Sequence, residues 1–248
     1  MKTLVALEWK TWLRNRRLAI SAFLFLFWGI LSPVMIYYMK DILARMGGSA
    51  GAINFPDPTW QSLLASYYQN AAEIGLFVLA YFVADSCKIE KESSLGLYYR
   101  TVAKNSRFLF VPKLIVTAVV ACISSLIGGL ASLYITWVFF EKADMGEILL
   151  ALLLQAIAIL VFSLLAACLS VWTRSAFLSA VLMIVLVFLG LMLQSFESIQ
   201  NWLPSSLLAP TGILAGTQNT LSPALAVCLL FGIMAVVLTL VKSLRIRY

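Results

Sequence analysis

The chain is predicted to be an all-α polytopic membrane protein with six transmembrane helices, and three observations predict it. Its 248 residues are 62% hydrophobic and only 12% charged, with a mean hydropathy of +0.96. A soluble domain of this length has no interior large enough to hide that much apolar surface, so lipid must be part of its solvent. The apolar residues also fall into six runs, 18–39, 63–84, 114–140, 148–171, 177–194 and 223–241. Each is close to the roughly 20 residues a bilayer-crossing helix needs, and none shows the short alternation of a barrel strand. Finally, the basic residues are sorted between alternate connections, as the positive-inside rule requires.

With the N-terminus inside, the inner segments hold Lys2, Lys10, Arg14, Arg16 and Arg17, then Lys88, Lys91, Arg100, Lys104, Arg107 and Lys113, then Arg174, and at the end Lys242, Arg245 and Arg247. The outer segments keep only Lys40, Arg45 and Lys142, together with the acids Asp41, Asp57, Glu141, Asp144, Glu147 and Glu197. Both termini are therefore expected in the cytoplasm, and residues 1–248 are expected to form a single transmembrane domain. The net charge of +7 reads as a topology signal and not as nucleic-acid binding. Although Gly48-Ser49-Ala50 faintly resembles a cleavage site, the first apolar run is long for a signal core and is read as a retained span.

Residues 2–17 are expected to form an interfacial helix. Val5, Trp9, Trp12 and Leu13 fall on one side of a helical wheel, and Thr3, Lys10 and Arg14 on the other, with Leu7 out of pattern. Tryptophan opposite Lys and Arg suits a helix lying among headgroups. Asn15-Arg16-Arg17 is the expected elbow into the first span. The loop from 40 to 62 carries Gly47, Gly48, Gly51, Pro56 and Pro58, which stop helices and mark an external connection.

The second span has an apolar inner half, but Gln69, Asn70 and Glu73 lie in its outer half. An ionisable group within a span is costly and points to function by default, which makes these three residues candidates for a pathway or a subunit interface. Solvation of Glu73 near the outer surface is the competing reading. Pro112 is expected to separate Phe108–Val111 from the third span and leave those four residues along the membrane surface. In the third span Ser124, Ser125, Gly128, Gly129 and Ser132 put small residues at helical spacing, a pattern that lets helices approach within one chain more often than it marks a dimer. Gln155 in the fourth span is expected to hydrogen-bond to a neighbouring helix. Only Trp172–Ala176 joins spans four and five, which should therefore be antiparallel neighbours.

Beyond the fifth span, Trp202, Leu203, Leu207, Leu208, Ile213 and Leu214 are interrupted by Pro204, Pro210 and Gly212. Too apolar for a free loop and too broken for a span, this stretch reads as a pair of short helices, re-entrant or lying at the outer interface.

Several chemistries lack their residues. The chain has no histidine, which removes Ser-His and Cys-His pairs and His-ligated metals. No P-loop or dinucleotide fingerprint is present, so no catalytic, cofactor-binding or metal-binding residue is assigned. Cys87, Cys122, Cys168 and Cys228 are scattered without CxxC spacing and read as reduced packing residues.

One stretch sets the functional reading. Residues 88–113, KIEKESSLGLYYRTVAKNSRFLFVPK, form the longest polar interruption rich in both signs of charge. Glu90-Lys91-Glu92, Ser93-Ser94, Leu95-Gly96-Leu97-Tyr98-Tyr99, Thr101-Val102, Arg107 and Pro112-Lys113 follow one another between spans two and three. In form and place this resembles the ABC-2 type permeases, the membrane subunits of ATP-binding-cassette exporters. Their usual pattern is acid-Arg-acid, Gly-Thr, a Leu-rich run with an acid, Thr-Pro, Arg and then Gly-Lys. Here Ser93-Ser94 replaces Gly-Thr, Gly96 the acid, Val102 the proline and Pro112 the final glycine. The six-span layout and the broken outer segment extend the likeness along the chain.

The resemblance implies a coupling helix seated in a cytosolic ATPase, with Glu90, Lys91, Glu92, Arg100 and Arg107 supplying charge and register and Leu95, Leu97, Tyr98 and Tyr99 the apolar anchor. It implies two separate ABC ATPase subunits that bind ATP and Mg, and a second permease chain, identical or related. The expected function is outward movement of an amphipathic or hydrophobic substrate across a cell membrane, with a bacterial inner membrane the best fit. The chain itself would be no enzyme. The alternatives are a stand-alone secondary transporter or channel, or a membrane assembly or immunity factor that transports nothing.

Overall fold

A computed structural model describes residues 2–46, 57–88, 107–140, 145–194, 196, 199, 201–214 and 222–241. Among these, helix is the only regular structure and there is no strand. Six helices are long and apolar enough to cross a membrane: Arg17–Ile42, Trp60–Cys87, Leu109–Phe139, Met145–Thr173, Ala176–Leu193 and Pro223–Val241. They are called the first to sixth spans. The composition and runs that predicted a six-helix membrane protein are thus matched by the helices themselves.

A short helix, α1 (Lys2–Arg14), precedes the first span. The turn between them is made at Asn15 and Arg16, and Arg16 takes the left-handed conformation with φ of 56°. Arg174, between the fourth and fifth spans, does the same with φ of 59°. A side chain other than glycine is uncommon there, and each turn reverses the chain within two residues. The fifth span then starts on a capped end, where the Ser175 hydroxyl accepts from the Leu178 amide at 3.3 Å. The second span is capped by Thr59, whose hydroxyl accepts from the Ser62 amide at 3.2 Å while Ser62 accepts from the Thr59 amide at 3.0 Å. This reciprocal box satisfies donors that the helix leaves open.

Two of the expectations are corrected. The expected membrane-facing side of α1 is turned in part to protein: Trp12 is fully buried, Val5 and Trp9 are partly buried against the core, and α1 packs on the third span. Leu13, expected on that same face, is exposed. Tryptophan opposite basic residues marks an amphipathic helix, but protein is as good a home for its apolar face as a bilayer surface. Pro112 does not separate Phe108–Val111 either. The helix runs unbroken from Arg107 to Phe139 with Pro112 inside it, and Phe110 and Leu109 are buried. At the sixth position the missing N–H costs a hydrogen bond within the second turn only, and neighbouring helices offset such a loss in membrane bundles.

The fourth span is the central column. Its most apolar 18-residue stretch is 67% buried, against 28% for those of the first and sixth spans, and it packs on the second, third, fifth and sixth. The first span leans chiefly on the third. There the small residues act within the chain: a Cβ on Gly29 would lie 2.3 Å from the Gly128 carbonyl oxygen, and one on Gly128 would lie 2.6 Å from that of Phe25. Ser124 donates across the same seam to Ser21 at 3.3 Å. Gly129 turns the other way, and its Cβ would meet Leu152 of the fourth span at 2.3 Å. Adjacent glycines thus let the third span touch two partners.

The two ends of the bundle are distinct. At the near end, where α1 lies, the start of the first span meets the end of the second and the start of the third. At the far end, Tyr37 of the first span stacks on Phe139 of the third, centroids 4.1 Å apart. Lys40 reaches Asp57 there at 2.7 Å, and that hydrogen bond, followed by the lysine's charge, holds the Asp57 carboxyl below its ordinary value.

The segment after the fifth span is broken as expected, into a 3-10 turn (Pro204–Leu207) and a short helix (Thr211–Leu214). Its central turn is buried, while Trp202 and Thr211 on either side are exposed. Ser205, Leu207 and Leu208 are buried, and the turn packs between the fourth, fifth and sixth spans.

Gly128→Val is expected to destabilise the protein by about 1–3 kcal/mol through overpacking. Thermal unfolding in detergent, followed by loss of the monodisperse species, measures it.

Candidate functional site

Of the residues assigned to coupling, Glu90, Lys91, Glu92, Leu95, Leu97, Tyr98, Tyr99 and Arg100 lie outside the described residues. Arg107 opens the helix of the third span. What is described is how that stretch is held at both of its roots, and the polar group in the second span.

The roots carry an ionic clamp. Arg17, the first residue of its helix, forms a hydrogen-bonded ion pair with Asp85 in the last turn of the second span. Lys88 reaches the other Asp85 oxygen at 3.0 Å. On the far side of the stretch, Lys113 donates to the Ser86 carbonyl and stands 3.8 Å from Glu8 of α1. Asp85 and Arg17 are about four-fifths buried, and Lys113 and Glu8 more so.

Helix geometry gives the clamp a reason. A cation at a helix N-terminus and an acid at a C-terminus both oppose the helix dipole. Arg17 nevertheless stands at an N-terminus and Asp85 in the last turn of its helix, while Lys113 lies in the second turn of the third span's helix. Pairing Arg17 with Asp85 cancels these unfavourable placements, and one of the freed carbonyls at the end of the second span, that of Ser86, is capped by Lys113. The result ties α1 and three spans together at the base of residues 89–106.

Sequence reasoning picked out Lys113 but missed Glu8, Arg17, Ser86 and Asp85 as a group. A signal was present. Glu8 and Asp85 are acids set beside apolar runs among basic residues, and an acid so placed needs partners.

Gln69, Asn70 and Glu73 are brought together on the second span. Gln69 donates to a Glu73 oxygen at 3.1 Å. Asn70 bonds to Ser32 of the first span and to the Ser66 carbonyl, both at 3.0 Å. Glu73 is half-buried and sits in a π-helical turn, Ala71–Gly75, that interrupts the α-helix. Single π-turns of this kind accompany functional sites. Gly75 closes the turn against the ring of Phe25, 3.0 Å from where its Cβ would stand. Because the helix runs from Trp60 to Cys87, Glu73 stands at its middle, about 20 Å from either end at 1.5 Å per residue. The helix extends three residues further at each end than the apolar run, so Glu73 closes its outer half and stands at its centre.

Gln155 meets its expectation of a bond to a neighbouring helix. Its amide donates to the Tyr68 carbonyl at 3.3 Å and to the Leu208 carbonyl at 3.2 Å. Beside it, Tyr67 donates to the Ser125 carbonyl at 3.4 Å. Cys87, Cys168 and Cys228 are buried, Cys122 is half-buried, and none of the four forms a disulfide.

Asp85→Asn is expected to cost about 1–3 kcal/mol, since it weakens a largely buried charged pair and leaves Arg17 without a counter-charge. Glu8→Gln should cost less, because Lys113 keeps the Ser86 carbonyl. Thermal melts of Arg17→Ala, Asp85→Ala and the double variant check this. A coupling near zero would mean that the pair contributes nothing.

Comparison of the chain with protein-family models, with curated proteins and with solved structures finds no match.

Proposed function

We propose that this chain is the membrane-spanning permease subunit of an ABC-2 type exporter, moving an amphipathic or hydrophobic substrate outward. ATP, with Mg, is hydrolysed in separate cytosolic ATPase subunits, and a second permease chain, identical or related, completes the pathway. The near end of the bundle faces the cytosol of a cell membrane.

One observation carries this reading. The charged stretch 89–106 leaves and re-enters the bundle at two helix ends that are clamped to each other and to α1 through Lys113, Ser86, Glu8, Asp85 and Arg17. A force applied to that stretch by a soluble partner would pass directly into the first three spans. An ordinary cytosolic loop needs no such footing. The acid-basic-acid run Glu90-Lys91-Glu92 and the anchors Leu95, Leu97, Tyr98 and Tyr99 supply the charges and apolar contacts for docking. Gln69, Asn70 and Glu73 then belong to the pathway or to the face between the two permeases, where water or a partner chain meets the charge.

A stand-alone secondary transporter is the second reading, and the placement of Glu73 halfway along a span favours it. An ionisable group at that depth is the kind of residue ion-coupled transporters use. Dependence on an ATPase separates the two.

A mild-detergent pull-down of the tagged chain from its host, followed by mass spectrometry, is expected to recover a P-loop ATPase. Reversing Glu90 and Glu92 to Lys should abolish that recovery. The chain captured alone, with crosslinking also finding no ATPase, would sink the exporter reading. In reconstituted complexes Glu73→Gln is expected to lower substrate-stimulated ATP hydrolysis severalfold while leaving assembly intact, and wild-type rates would remove Glu73 from the pathway.

A further inference from the structure

The broken segment after the fifth span and the π-turn of the second are far apart in sequence, and one side chain joins them. Gln155 is the eleventh residue of the fourth span, about 15 Å along the helix from its far end. At that depth its amide nitrogen donates to Tyr68 and to Leu208. Leu208 ends the 3-10 turn, so its carbonyl has no helix to continue into. Tyr68 lies three residues before the π-turn begins, where the hydrogen-bond ladder changes step.

The chemistry of the group is specific. A carboxamide nitrogen carries two N–H donors, and here both are spent on backbone carbonyls of two different elements. Two acceptors fix the amide orientation, since the flipped form would set the Gln155 oxygen against both. That oxygen is buried and has no partner, so the residue is placed for its donors. Leucine offers none, and glutamate would repel both carbonyls.

The segment is otherwise fitted closely. A Cβ on Gly190 of the fifth span would stand 2.7 Å from the Ser205 side chain, and Gln194 donates to Ser205 at 3.3 Å. Leu207 and Leu208 are fully buried. Movement of the segment therefore cannot be taken up by loose packing around it.

We propose that Gln155 is a mechanical link that makes the broken segment (203–212) and the π-turn with Glu73 (69–76) shift as one unit. Displacement of either is transmitted to the other through the two hydrogen bonds of a single amide. The far-end surface and the mid-span polar group are then one conformational device. This goes beyond the exporter reading and does not require it.

The test is hydrogen–deuterium exchange with mass spectrometry on the full chain in lipid nanodiscs. In Gln155→Leu, amide exchange is expected to rise on the order of tenfold in both 203–212 and 69–76, as loss of buried hydrogen bonds implies. An element remote from the link, such as α1 (2–14), which packs on the near-end halves of the first and third spans, should stay unchanged. A rise in 203–212 alone would make Gln155 a local anchor and overturn the link, and no rise in either would do the same. If Gln155→Leu does not yield folded protein, Gly190→Ala decides. Its added Cβ meets Ser205 alone, and faster exchange in 69–76 without a rise in 77–87, where the fifth span packs directly on the second, supports the link. Wild-type exchange in 69–76 overturns it.

Discussion

In hydrocarbon a polar group that finds no partner within the protein has none, and leaving it bare costs several kcal/mol. This constraint, more than any single contact, arranges the bundle. Four of the polar side chains that the sequence carries into a span are placed where another element meets them, while others such as Ser163 and Thr239 turn back on their own helix. Asn70 is met by Ser32, Ser124 by Ser21, Tyr67 by the Ser125 carbonyl and Gln155 by two carbonyls at once. These bonds join the first span to the second and third, the second to the third and fourth, and the fourth to the broken segment. Apolar packing alone has little reason to prefer one such arrangement over another, because lipid tails are as apolar as leucine. The polar contacts supply the selection.

Close approach of backbones supplies the rest. Where Gly29 meets Gly128, no Cβ separates the first and third spans, and van der Waals contact is gained along both helices. The same seam holds Phe25 between the Gly75 and Gly128 positions. Its bulky, fully buried ring is accommodated where Gly75 has no Cβ, while Gly128 lets its own helix reach the Phe25 backbone. The seam fixes where the first span lies, and the first span carries Arg17 to Asp85 at one end and Tyr37 to Phe139 at the other.

Seen together, the clamp, the π-turn and the broken segment form a column of polar contacts along the second span. Asp85 and Ser86 anchor its near end, Glu73 sits in the π-turn at its middle, and Tyr68 is bonded to Gln155 toward its far end. A π-turn is a natural place for such a helix to change pitch, because its extra residue is already out of step with the ladder. A push at the near-end roots and a shift at the far-end segment therefore have a shared element to act through. This is the physical content of the proposed function and of the proposed link.

What the sequence alone determined follows from partition between solvents. The number of spans, their approximate bounds, the broken character of the segment after the fifth and the polar intrusion of Gln69, Asn70 and Glu73 are all consequences of how much apolar surface each stretch presents. The orientation and the docking role of 88–113 rest on charge pattern and remain readings of the sequence. Partner choice was a different matter. That α1 docks on the third span, that Pro112 rides inside a continuous helix, that Asp85 pairs with Arg17 and that Gln155 joins Tyr68 to Leu208 depended on which helices lie side by side. A helix's own periodicity tells which of its faces is apolar or polar but carries no record of what that face will touch. Only the packed tertiary structure, where glycines bring backbones together and each buried donor must find an acceptor, decided those pairings.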